Sequence, residues 1–108
     1  MTYHKCPMKT KFKVGDVVLV KKPTDKHEHS PDTKYYSWWI PERMDKYDNK
    51  FAYVEYVERC EWNISENIYN LSFINNDGLD KRARYDFRES WLHHVPEKDV
   101  PKVTALIL

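Results

Sequence analysis

Trp39-Ile40-Pro41-Glu42-Arg43-Met44-Asp45-Lys46-Tyr47-Asp48-Asn49-Lys50 is the stretch whose reading decides the fold. Pro41 to Tyr47 reads as one short helical turn, with Met44 and Tyr47 three apart on a shared face. Asp48-Asn49 then turns the chain, because Asn tolerates the left-handed backbone that such a corner needs. Beyond it Phe51 to Val57 is rich in Tyr and Val and reads as a strand. A helical turn feeding a strand through a tight corner points to a small, mainly β domain.

The flanks extend that reading. Upstream, Phe12-Lys13-Val14-Gly15-Asp16-Val17-Val18-Leu19-Val20 places a turn at Gly15-Asp16 before a buried first strand. Downstream, residues 58–67 read as an acidic loop, and Ile68 to Ile74 alternates with Tyr69, Leu71 and Phe73 on one face. Asn75-Asn76-Asp77-Gly78 is a hairpin signal, with the chain returning as a strand over 83–87. Glu89-Ser90-Trp91-Leu92 fits a 3₁₀ turn leading to a last short strand at His93 to Val95. Residues 21–37 are a polar loop with Pro23 and Pro31, longer than the roughly 12 residues that compact domains ordinarily leave without structure. The expected organisation is a basic N-terminal arm over 1–11, a barrel over 12–96, and a C-terminal extension over 97–108 ending in an apolar strand.

Composition limits what the chain does. One domain's worth of sequence, 108 residues, carries 18 basic against 17 acidic side chains. Such a balance gives no overall field committing the protein to nucleic acid or a membrane. No segment approaches the roughly 18 apolar residues that cross a bilayer, and the first residues hold no apolar leader core. A cytoplasmic protein without a membrane partner is expected, with Cys6 and Cys60 as free thiols in a reducing compartment. Four Trp, eight Tyr and four Phe are many for this length, so several rings are expected at the surface as partner anchors or as ordinary strand residues.

Trp39, Met44, Asp45, Tyr47, Lys50, Val54, Tyr69, Leu71, Phe87, Trp91 and Leu92 together form a pattern. It resembles that of small SH3-like barrel proteins found in phages and mobile elements, akin to the SH3-like repeats of some ubiquitin ligases. The likeness covers about residues 12–95, with Asn49 where that group usually has Gly. It implies an SH3-like small β-barrel with a short helical turn and a long first loop. In such a barrel the first loop and the closing 3₁₀ turn flank one groove. The resemblance also implies a phage-derived accessory protein that binds, and in some cases blocks, a host or defence factor.

Chemistry-bearing constellations are sparse. Glu55 and Glu58 stand three apart on a predicted strand and so should face opposite sides. No Ser, His and Asp suggest a triad, and no glycine loop is present to cradle phosphate. His27 and His29 supply ligand types without the spacing of a closed zinc site. The reading is a non-catalytic protein-binding module with no cofactor and no metal. Partner contacts are expected at Tyr35, Tyr36, Trp38, Glu55, Glu58 and Trp62, while Trp39, Tyr47 and Trp91 are expected to be structural. Self-association to a homodimer through the apolar tail is a further expectation. The alternative is a nucleic-acid-binding accessory protein using Lys9, Lys11, Lys13, Lys81, Arg82 and Arg84.

Overall fold

A computed structural model describes residues 9–29, 38–61, 65–74 and 85–107. The strands are β1 (Val17–Val20), β2 (Lys50–Glu61), β3 (Glu66–Phe73), β4 (Phe87–Arg88) and β5 (Leu92–His94), with helices α1 (Pro41–Met44) and α2 (Val100–Ile107). They form one antiparallel five-stranded sheet in the order β4-β3-β2-β1-β5. The chain is mainly β, as its residues suggest.

The connectivity forces the sheet to coil. β4 and β5 are the two edges, yet only the 3₁₀ turn Glu89–Trp91 separates them. Four residue steps span at most about 14 Å, whereas five flat strands would set their edges about 19 Å apart. The sheet therefore wraps around its concave face, although the edge strands do not pair and no closed barrel forms. Trp91 fills the gap.

Inside the coil, Trp39, Tyr47, Phe87 and Trp91 are buried. Trp39 meets Trp91 edge-on at 5.4 Å, and Tyr47 stacks on Phe73 at 4.4 Å. These rings are structural. The local signals that place them hold: Asn49 adopts φ 60 between the 3₁₀ turn Asp45–Tyr47 and β2, and Gly15 adopts φ 90 before β1. Nothing lies within 4 Å of a Cβ built at Gly15, so its φ alone calls for glycine there.

Four expectations are corrected. First, the acidic stretch 58–61 continues β2 instead of looping out, because β2 and β3 pair to the end at Glu61↔Glu66. Second, Glu55 and Glu58 share a face. The register skips each of them, between Val54 and Tyr56 and between Val57 and Arg59. Each is thus the extra residue of a β-bulge, which resets the alternation. Glu55 accepts from Ser72 and Glu58 from Asn70, two positions on one side of β3. The half-exposed Tyr53 and Tyr56 lie beside them.

Third, the tail is a helix and not a strand. Pro101 sits in the first turn of α2, where its missing N–H breaks no bond. Val103 packs on Leu19 and Phe51 on the convex side of the sheet. The tail thus docks on its own domain. Truncation after Asp99 is expected to lower stability by about 2–4 kcal/mol by baring Leu19 and Phe51, with no change in oligomeric state; urea denaturation and light scattering read the two effects.

Fourth, Cys60 is disulfide-bonded and not a free thiol. Placement accounts for it. Asn67, the register partner of Cys60, donates to the Lys9 carbonyl at 3.4 Å. The chain three residues after Cys6 therefore already lies beside Cys60. Cys6 itself, like the Asn75–Gly78 hairpin and most of the returning strand at 83–87, lies outside the described residues.

Residues 9–13 are tied down. One Glu89 oxygen, Oε2, accepts from the Lys11 backbone N–H at 3.0 Å, from Asn67 at 3.1 Å and from the Tyr69 hydroxyl. Phe12 is buried against Tyr69 and His94. Burial first, and the bond to Glu89 second, push the Tyr69 hydroxyl far above its ordinary pKa.

Candidate functional site

The first loop begins where β1 ends. The Lys21 backbone N–H donates to the Trp91 carbonyl at 2.9 Å, and that of Lys22 donates to Asp48 at 2.8 Å. Pro23 is buried, and its carbonyl bonds a ring nitrogen of His29 at 2.7 Å. The Trp39 N–H donates to the Glu28 carbonyl at 2.8 Å. Residues 21–29 are thus held at both ends.

Between this segment and the closing turn lies a cleft of about 310 Å³. Lys21, Lys22, Pro23, Thr24 and Glu28 form one wall, and Ser90, Trp91 and His93 the other. The 3₁₀ turn is fixed from behind by the Ser90 N–H, which donates to Glu66 at 2.8 Å. This is the position of the groove expected between the first loop and the 3₁₀ turn.

At the inner end, Glu28 Oε1 accepts from the Trp91 indole N–H at 2.9 Å and faces the Arg88 guanidinium at 3.5 Å. Arg88 is buried, with Trp38 on one side at 5.2 Å and Trp91 at 5.6 Å. A guanidinium between two indole faces, with carboxylates at its end, is a fixed arrangement. Ser90, His93 and Glu28 share the cleft, but the Glu28 carboxylate is committed to Trp91 and Arg88. It does not orient the histidine as a triad requires. Among the described residues no group of three or more His, Cys, Asp or Glu side chains could hold a metal ion.

The outer end of the cleft is basic. Burial first, then the charges of Lys21 and Lys11, hold the His93 imidazole below its ordinary pKa. The Lys22 ammonium pairs with Asp45 at 3.2 Å. Asp45 is itself drawn below the usual carboxylate range, chiefly by the Trp39 indole N–H at 2.8 Å.

The sequence-derived site residues divide. Trp38 is half-buried and braces Arg88 without lining the cleft. Glu55 and Glu58 lie on the β2–β3 face, outside the cleft. Lys9, Lys11 and Lys13 are exposed, with Lys11 near His93. Tyr35, Tyr36, Trp62, Lys81, Arg82 and Arg84 lie outside the described residues. Sequence reasoning missed Lys21, Lys22, Glu28, Ser90 and His93. Their only signal was position, at the two ends of the segments flanking the expected groove.

On the β2–β3 face, Glu58 and Asp86 share a hydrogen bond, with Arg59 at 3.3 Å from Glu58 and 3.0 Å from Asp86. Burial first, then Glu58, push the Asp86 carboxyl up to about 6 from the ordinary 3.8. Glu58 is lowered, first by its bond with Asp86. The folded protein therefore keeps a proton on Asp86 that the unfolded chain has already released. The stability this proton contributes is full below pH 3.8 and lost as the pH rises through about 6. Glu58 contributes in the opposite sense, above its ordinary 4.5. The Asp86→Asn variant is expected to flatten the decline between these limits and to be no less stable than the parent at neutral pH. Urea midpoints measured across pH 4 to 7 check it; an unchanged profile counts against the shared proton.

No protein-family model matches the chain, and no curated protein or solved structure matches it significantly.

Proposed function

We propose that the chain is a non-catalytic protein-binding module with an SH3-like fold, which seats an extended segment of its partner in the cleft. The observation that carries this is the cleft itself, walled by Lys21–Glu28 and Ser90–His93 and pinned by backbone bonds on both sides. A preformed concave site between two pinned segments suits a segment of extended chain. The strand order, the first-to-last pairing of β1 with β5 and the 3₁₀ turn between β4 and β5 support the SH3-like reading. The sequence resemblance to the phage group supports a host or defence protein as the partner, bound stoichiometrically and thereby inhibited.

Thr24 is exposed on one wall, so Thr24→Trp fills the cleft without touching the core. Immobilised protein is expected to capture its partner from nuclease-treated host lysate, and the Thr24→Trp variant, with an unchanged circular dichroism spectrum, to lose it. Capture that persists in the variant rejects the cleft as the site.

A second reading rests on one observation, the approach of Lys11 and Lys21 to the same imidazole. Basic side chains from two segments are what a phosphate backbone contacts. Capture abolished by nuclease, with affinity falling linearly in log salt, identifies a nucleic-acid-binding accessory protein instead.

A further inference from the structure

The charges around the cleft are not symmetric. Lys21 is exposed on the rim, and among the described residues no carboxylate pairs with its ammonium. Lys11 stands close enough to act on His93. The carboxylates nearby are already engaged. Glu28 is held by Trp91 and Arg88, Glu89 Oε2 by three donors, and Asp45 by Trp39 and Lys22. What the cleft offers a ligand is therefore cationic and hydrogen-bonding: Lys21, the Ser90 hydroxyl and the His93 ring line it, with the exposed Lys11 beside His93.

From this we infer that the segment seated in the cleft is acidic, an extended peptide whose Glu or Asp side chains meet Lys21 and Lys11. The inference rests on the cleft being the docking site. Charge complementarity of this kind sets register and partner choice more than raw affinity, and an exposed ammonium that pairs with no carboxylate among the described residues is open to an incoming one. An acidic peptide is favoured over nucleic acid for two reasons. Trp91 is buried edge-on in the core and offers no open face for a base. A nucleic-acid strand also carries a phosphate at every residue, and would have to pass Glu28 at the inner end. A peptide can place its carboxylates at the outer end only.

The test uses the full chain with labelled short peptides of Ser, Pro and Gly carrying interspersed Glu, interspersed Lys or no charge, beside a single-stranded oligonucleotide. Fluorescence anisotropy gives affinity, and amide shifts in nuclear magnetic resonance give the site. The Glu peptide is expected to bind roughly tenfold tighter than the neutral one, and to move the signals of Ser90, Trp91 and His93. The double variant Lys11→Glu and Lys21→Glu is expected to erase that preference, so that the Glu peptide binds no more tightly than the neutral one. If neutral and Glu peptides bind equally at those residues, the acidic preference falls and the cleft stands. If no peptide moves those signals, the cleft falls and takes the preference with it. An oligonucleotide that binds there more tightly than the Glu peptide overturns the inference in favour of the nucleic-acid reading.

Discussion

Replacing Trp91 by Ala is expected to destabilise the protein by about 3–5 kcal/mol, the range for deleting a large buried ring. In a domain of this size that corresponds to a fall in Tm of roughly 15 °C or more. Two losses combine. The indole is 2% exposed and packs edge-on against Trp39 at 5.4 Å and Phe87 at 6.3 Å. Its N–H satisfies Glu28. Trp91→Phe keeps a ring and drops the N–H. It is expected to cost less, about 1–2 kcal/mol, because Glu28 loses one buried donor and the cavity is smaller. Thermal melts of both variants check the ordering. A Trp91→Ala protein with the parent Tm would mean that the sheet coils without the ring at its open edge.

Arg88→Ala is expected to cost about 2–4 kcal/mol, somewhat less than the loss for breaking a fully buried pair. The discount follows from its partners. The Arg88 side chain is only 8% exposed, but those of Glu28 and Glu66 are 25% and 21% exposed, so water partly compensates the carboxylates left behind. The guanidinium also fills the space between Trp38 and Trp91, and part of the loss is packing. Since Glu28 and Arg88 form one network, Glu28→Gln and Arg88→Ala together are expected to cost less than the sum of the single changes. A double-mutant cycle in urea measures this, and strict additivity would show that Glu28 does not hold the cation.

What the residues made legible is local. Val17–Val20 is an unbroken apolar run in which all but Leu19 are β-branched, Pro41–Tyr47 carries its own helical spacing, and Asn49 and Gly15 occupy corners that few other residues tolerate. Each can be read without knowing what lies across the sheet. The bulges at Glu55 and Glu58 are different. They exist because β3 offers fewer residues than β2 over the same length, and nothing within β2 announces that mismatch. The tail misled for a related reason. As a sequence the tail suits a helix as well as a strand, and the docking of Val103 on Leu19 and Phe51 decides for the helix. The cleft was foreseen as a place and not as a set of side chains, since Lys21, Glu28 and His93 belong to no periodic pattern. Their importance comes from the coiling that brings positions some seventy residues apart to face each other.

That coiling also has a consequence for timing. The pairing of Val18 with His94 joins residues 76 positions apart, whereas β2 and β3 pair to an end where Glu61 and Glu66 are only five positions apart. Long-range closure is the slow kind, and during synthesis the ribosome releases β5 only after everything before it. Until Leu92–His94 arrives, the cleft has one wall. A nascent or truncated chain can thus carry a formed β2–β3 pairing and still lack the cleft, whose second wall is completed by the last of the five strands to emerge.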